Sequence, residues 1–430
     1  MATPTVADDT DVPADIAATL VDPTAYADNR IHDAYRWLRA NNPLGVARPN
    51  GYAPFWVVTR HAHIAAISRQ NELFHNADRP TTLTPIAMEE RVRKITGGPN
   101  LVRSLVQMDA PDHPKYRALT QGWFMPGNLT KFEPRIREIA RHTVEKMIAK
   151  GGACDFVADV ALGYPLHVIM EILGVPEQDE PRMLRLTQEL FGPHDPDKTR
   201  IREQLTAEQL AAMLQMVVND FSTYFRVITE DRRRDPRDDL ASVIANARIN
   251  GDYLPEHDAT SYYIIVATAG HDTTSSSTAG AIWALAENPE QFAMVKADPS
   301  LISGLVDEAI RWMTPVKNFM RSASADTELG GRDVKKGDWL MLCYASANRD
   351  EEVFEEPYRF RCDRKPNRHI AFGYGAHLCL GQYLAKLEMR ILFEELLPRL
   401  KSIALDGEVK MTQAVFVNGP KRLPIRFELD

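Results

Sequence analysis

The run Phe372-Gly373-Tyr374-Gly375-Ala376-His377-Leu378-Cys379-Leu380-Gly381 sets one cysteine among glycines and apolar residues, just ahead of a strongly helical stretch. A sulfur at a helix N-terminus is held as thiolate by the free backbone N–H groups and the positive end of the dipole. Gly373, Gly375 and Gly381 let the backbone come close to a flat, bulky ligand, and Phe372 can shield the sulfur from water. Such wrapping fits a thiolate on haem iron. A zinc site made of Cys362, His369, His377 and Cys379 is the rival, since zinc takes that donor set. It leaves Phe372, Gly381 and the next motif without a purpose.

That motif is Ala269-Gly270-His271-Asp272-Thr273-Thr274. A glycine inside a helix costs about 1 kcal/mol relative to alanine, so Gly270 needs a reason. Ala269 and Gly270 would leave room for a flat cofactor and a diatomic ligand. Thr273 can bond back to the carbonyl of Ala269 and open the helix locally, admitting water. Taken alone, these residues also fit a polar stripe with a packing glycine. Glu308-Ala-Ile-Arg311 places opposite charges on one helical face, a spacing common in solvated pairs.

The elements that must carry these residues read as mainly α with a small β-rich part. Helical patterning begins near Ile31, short β-type runs such as Phe55-Trp-Val-Val-Thr follow, and residues 111–315 are mostly helical, broken at Pro126-Gly127, Gly151-Gly152 and Gly192-Pro193. The longest helix is expected from Pro255 to Asn288, with a middle that is apolar or small on nearly every side, as in a central buried helix. A second helix should run from about Cys379 to Leu397, and the last thirty residues read as strand pairs around Asp406-Gly407 and Asn418-Gly419. Residues 1–30 are polar and Pro/Ala-rich, so a partly mobile arm is expected there.

With 430 residues, 44% hydrophobic and 26% charged, the composition is that of a globular protein, and a net charge of -8 argues against a general nucleic-acid binder. No stretch approaches the ~18 consecutive apolar residues of a spanning helix, and the N-terminus lacks a signal-peptide pattern. Cys154, Cys343, Cys362 and Cys379 are too few and too scattered for a disulfide framework. A cytoplasmic protein without a membrane anchor is the expectation.

The cysteine run resembles the haem-binding signature of the cytochromes P-450, Phe-x-x-Gly-x-[His/Arg]-x-Cys-x-Gly, matched at Phe372, Gly375, His377, Cys379 and Gly381. Ala269 to Thr274 is similar to that family's oxygen-activation motif, and Glu308 with Arg311 to its structural Glu-x-x-Arg pair. Further segments, among them Ala345-Ser-Ala-Asn-Arg-Asp-Glu-Glu-Val-Phe354 and Cys379 to Met389, resemble the bacterial branch that contains the α-terpineol hydroxylase.

The resemblance implies a single haem domain over residues 31–430 and a monooxygenase holding haem b on Cys379. Asp272 would relay protons, and Thr273 would hold oxygen and a water. His113, Arg117, Arg321 and His369 would meet the propionates, and Arg359 or Arg364 would complete the Glu308–Arg311 network. A pocket lined by Ile265, Ala269, Val316, Phe319, Phe416 and a loop around Ile86 to Val102 would take O2 and a small hydrophobic substrate, a monoterpenoid or an alkyl-substituted aromatic. A chain of this length has no room for a second redox domain. Electrons would come from a ferredoxin and its NAD(P)H-dependent reductase, docking on Lys115, Arg135, Arg137, Arg368, Lys386 and Arg390. A peroxygenase would not need the Asp272–Thr273 pair, and a haem sensor would need an output domain.

Overall fold

Apolar residues at helical spacing give the chain its long helices, among them Glu133–Ile148, Gly163–Leu173, Glu180–Phe191, Ala207–Arg234, Ile302–Met313 and Gln382–Leu396. The structure is a computed structural model that describes residues 10–193, 195–198 and 205–430. Helix Glu133–Ile148 illustrates the rule, burying Ile136, Ile139, Ala140, Val144 and Met147 along one stripe. The expected breaks at Gly151-Gly152 and after Phe191 are present, and Pro126 opens a short helix, Pro126–Leu129.

The predicted central helix is divided. Its halves, Glu256–Ala269 and Asp272–Glu287, meet at Gly270-His271. Thr273 Oγ1 donates to the Ala269 carbonyl at 2.8 Å, so a side-chain hydroxyl bonds back across the junction where the ladder is interrupted. Between Asp258 and Ile282 only Ile265, Ala269, Gly270 and Thr273 escape burial. Ile265, Ala269 and Thr273 follow one another at intervals of four, which is one face of a helix.

A five-stranded sheet lies beside the helices, in the order Leu44–Ala47, Phe55–Val58, Trp339–Cys343, Asn318–Ala323, Phe74–His75. Trp339–Cys343 is buried along its whole length, antiparallel to Asn318–Ala323 with Leu340 opposite Arg321, and parallel to Phe55–Val58. Ile265, Phe372 and Leu380 rest half-buried on the helical core. Val316, Phe319 and Tyr374 do the same on the sheet core. The candidate site therefore lies at the seam between the two cores.

Three expectations change. Residues 10–30 are not an arm: Ala14–Val21 and Pro23–Ala27 are helices that bury Ala17, Leu20, Ala25 and Tyr26, because their alanines and leucine form an apolar face; residues 1–9 lie outside the described residues. The C-terminal strands are nested rather than successive. Leu400–Leu405 pairs with Pro424–Leu429, and Lys410–Met411 with Pro420–Arg422 inside them. Asn418-Gly419 makes no two-residue hairpin, since a Cβ on Gly419 would collide with Ser276 Oγ and the Asn418 amide donates to Pro315 O at 3.0 Å. Finally, residues 86–96 are a helix rather than a loop, packed through Met88 and Val92 against Ala211. Among the described residues no helix is long and apolar enough to cross a membrane.

Candidate active site

Cys379 sits one turn before helix Gln382–Leu396, its own N–H donating to Phe372 O at 2.8 Å. That bond closes the loop from Phe372 to Cys379 into a compact turn. Burial pushes the Cys379 thiol up, while the N–H groups of Gly381 and Gln382 and the Arg117 guanidinium pull it back toward the thiolate. Gly373 and Gly375 have φ of 74° and 70°. At Gly375 the requirement is twofold, because a Cβ there would also collide with Ser68 O. At Gly381 a Cβ would meet no protein atom within 4 Å, so its open side is free for a ligand.

His377 organises the polar flank. Its ring lies against His113 with centroids 4.1 Å apart. Burial, then the charges of Arg321, His113 and Arg117, drive its pKa down to about 2. Four nitrogen-bearing side chains therefore converge with no carboxylate among the groups acting on His377. His113 Nε2 is buried without a partner. Arg117 donates to Leu378 O at 2.8 Å and Arg321 to Met320 O at 2.8 Å. A buried imidazole nitrogen without a partner beside two guanidinium groups favours an added anion, and two carboxylates of a flat macrocycle would fit. His369 is placed elsewhere. Its Nε2 lies 3.8 Å from Asp307 and its ring 5.8 Å from Phe372, because the chain from Arg364 to His369 is drawn toward the Glu308 network. Its Nδ1 remains buried and unpartnered.

That network resolves the third arginine. Glu308 and Arg311 are fully buried and joined at 2.7 Å through both guanidinium branches. Arg364 Nε reaches both Glu308 oxygens at 3.1 Å. The Arg359 side chain is exposed and meets Glu356 instead. The zinc alternative has no support. Cys362 is buried with its thiol raised to about 12 by burial, and no group of three or more candidate ligands occurs among the described residues.

On the central helix, Ala269 is exposed and Thr273 half-exposed, while Gly270 turns toward Ile169, whose Cγ1 would lie 3.3 Å from an added Cβ. The room kept by Gly270 thus serves helix packing, and the open face belongs to Ala269. Asp272 is buried, with Oδ1 3.6 Å from His271 Nδ1 and Oδ2 unpartnered. Sequence reasoning missed Glu388, a buried carboxyl hydrogen-bonded to Thr274 whose pKa burial pushes well above the usual carboxylate range. Its signal was available: it falls on the apolar stripe of Leu384, Ile391 and Leu392.

Val316, Phe319 and Phe416 are brought together by an isolated bridge, Val316 opposite Val417, with Lys317 N–H donating to Phe416 O at 2.8 Å. The Phe319 and Phe416 rings meet edge-on at 5.1 Å. Phe191, which no sequence signal marked, stands 6.1 Å from Phe416. Gly419 abuts Ser276 and Gly280 abuts Met313, so the chain just after Phe416 and just before Val316 packs against the central helix.

A family model for cytochrome P450 matches residues 86–427. The chain belongs to the cytochrome P450 family. It is 50% identical over 419 residues to cytochrome P450-terp of a Pseudomonas species, covering 97% of this chain and 98% of that protein. It is 30% identical over 411 residues to linalool 8-monooxygenase of Pseudomonas putida, covering 94% and 98%. The crystal structure of CYP108D1 from Novosphingobium aromaticivorans superposes with a TM-score of 0.90 at 46% identity, over 98% of this chain and 100% of that one. The fold is the cytochrome P450 fold, the cofactor is haem b, and the activity is that of a P450 monooxygenase, which needs O2, an organic substrate and a redox partner. The unpartnered His113 Nε2 and the two guanidinium groups near His377, the free side of Gly381 and the exposed face of Ala269 suit the haem that the family carries.

Proposed function

We propose that this P450 hydroxylates a small hydrocarbon-like molecule, a monoterpenoid or an alkyl-substituted aromatic. The observation that carries this reading is the apolar surface left open along the central helix and around Phe416. Ile265, Ala269, Val316, Phe319, Phe416 and Phe191 present apolar surface, and the one polar side chain on the open stripe is Thr273. Relatives named for terpenes support the same class. Haem held by a thiolate supplies the oxygen-activating chemistry. The chain's part is to ligate through Cys379 Sγ, to shield that sulfur with Phe372, and to seat the propionates on His113, Arg117, Arg321 and His377. Asp272 moves protons inward from the buried side of the helix, and Thr273 Oγ1 holds oxygen and a water over the open face of Ala269.

A panel of monoterpenoids, alkylbenzenes, fatty acids and macrolides, scored by the low-to-high-spin shift of the holoprotein, tests the substrate class. Shifts with the first two groups are expected. Responses confined to the last two would overturn it.

The redox partner in this reading is a ferredoxin with its NAD(P)H-dependent reductase, met in the cytoplasm. The docking patch is narrower than the sequence suggested. Arg135 pairs with Glu138 and Glu171, Arg137 with Glu133, Glu394 and Glu395, Lys386 with Asp307, and Arg390 with Glu133 and Glu394. A cation facing its own carboxylate offers little net field to an acidic partner. Lys115 and Arg368 make no ion pair among the described residues, and they carry the proposed attraction. Charge reversal at both should slow reduction by the ferredoxin and leave substrate affinity unchanged; an unchanged reduction rate would count against the patch.

A further inference from the structure

Asp195 is a fully buried carboxylate in the connection after helix Glu180–Phe191, where a loop acid would ordinarily face water. It is satisfied from the C-terminal hairpin. Lys421 Nζ donates to both of its oxygens, at 2.9 and 3.0 Å, and the Gln413 N–H donates to Oδ2 at 2.9 Å. Lys421 also reaches Asp197 at 2.7 Å, and the Asp197 N–H donates back to Asp195 Oδ1 at 3.0 Å. Gln413 and Lys421 flank the segment that bears Phe416, and Asp195 follows Phe191 by four residues. The clamp therefore fastens the two chain segments whose rings meet at 6.1 Å. Phe416 in turn touches Phe319 at 5.1 Å. Other ties of the 412–419 segment run to Pro315, Lys317 and Asn318, next to Phe319 in the chain. They anchor Phe416 toward Phe319 and leave its spacing from Phe191 to the clamp and the ring contact.

We infer that Asp195 and Lys421 are positioning residues for the substrate pocket: their buried ion pair holds the Phe191–Phe416–Phe319 wall at a fixed spacing and so sets which ligand shapes the site accepts. This rests on the pocket reading above. Without the clamp the Phe191–Phe416 spacing would rest on a ring contact worth about 1 kcal/mol and would slide. A clamp with four hydrogen bonds to a buried carboxylate removes that freedom. The effect falls on shape discrimination rather than on haem ligation, because the partners of both residues lie in the loop after Phe191 and in the C-terminal hairpin.

The test uses the holoprotein and two nitrogen ligands of haem iron, imidazole and 4-phenylimidazole. The first is too small to report on the wall, and the second must lay its phenyl ring against it. Lys421→Met, the charge-free pair Asp195→Asn/Lys421→Met and the conservative Lys421→Arg are titrated by the Soret shift. Lys421→Met and the double variant should lose about tenfold in the preference for 4-phenylimidazole over imidazole, with imidazole itself binding as in the parent. Lys421→Arg should restore the preference. The double variant keeps the measurement possible if an unpaired buried Asp195 prevents folding of the single one. A preference unchanged within about twofold, or equal weakening of both ligands, would overturn the inference. Because neither ligand is a substrate, a mistaken substrate class would show in the terpenoid panel and leave this ratio standing.

Discussion

Replacing Arg364 by methionine should destabilise the fold far more than removing Arg359, although the sequence offers the two arginines as equals. Arg364 is 6% exposed. It donates to both Glu308 oxygens, to Glu355 O at 2.6 Å, to Glu356 O at 3.2 Å and to Arg359 O at 2.8 Å. Methionine fills the volume but leaves Glu308 short of one cation and takes a donor from three loop carbonyls, of which Glu356 O keeps the Arg359 N–H and Arg359 O keeps Arg311. Breaking a buried pair by removing one partner costs roughly 3–5 kcal/mol. Unfolding entropy of about 2.1 cal/mol/K per residue gives roughly 0.9 kcal/mol/K for 430 residues. The melting temperature should therefore fall by roughly 3–6 °C. Arg359 pairs with Glu356 at 3.4 Å with both side chains half-exposed or more. Arg359→Ala should cost less than about 1 kcal/mol, a shift within roughly 1 °C. Both holoproteins are melted in parallel by circular dichroism and by the Soret band. An Arg364→Met shift within about 1 °C of the parent, or an equal fall for Arg359→Ala, would refute the reasoning.

Gly375→Ala should abolish the far-red-displaced Soret peak of the dithionite-reduced carbon monoxide complex, because an added Cβ collides with Ser68 O and the backbone sits at φ 70°; Gly381→Ala, with no protein atom in its way, should keep the fold and weaken haem retention, measured by transfer to apomyoglobin. Thr273→Ala removes the hydroxyl that bonds the Ala269 carbonyl and should cut product formed per O2 consumed by about tenfold, with peroxide accumulating; unchanged coupling would exclude Thr273 from oxygen handling. Lys317 is buried, and among the described residues its one acceptor is Met313 O at 2.6 Å. Burial, helped by the charge of Arg349, lowers its pKa from 10.5 to about 7. The unfolded chain then binds more protons between those two values, so stability rises with pH through that window and is lowest below about pH 7. Lys317→Met should gain most over the parent near pH 6 and least near pH 10, read from urea midpoints; a pH-independent difference would refute it.

The chemistry was legible in the sequence wherever it depended on neighbours in the chain. Phe372 to Gly381 is a local loop, and its glycines, its sulfur and its helix start are bonded to one another. Thr273 reaches the carbonyl four residues back, so the opening of the central helix could be read from six consecutive residues. The alternating apolar stripes likewise gave the helices, since burial on one face is written as a period.

What the tertiary structure alone decided are the partners brought from afar. Arg364 rather than Arg359 joins Glu308, and His377 rather than His369 completes the group with His113, Arg117 and Arg321. Phe191 and Asp195 meet the C-terminal hairpin across more than two hundred residues of chain. Residue type and spacing fix which groups can do chemistry, because short-range bonds follow the backbone. Which distant side chain faces them depends on how the helices and sheets pack, a property of the whole core that no local run of residues encodes.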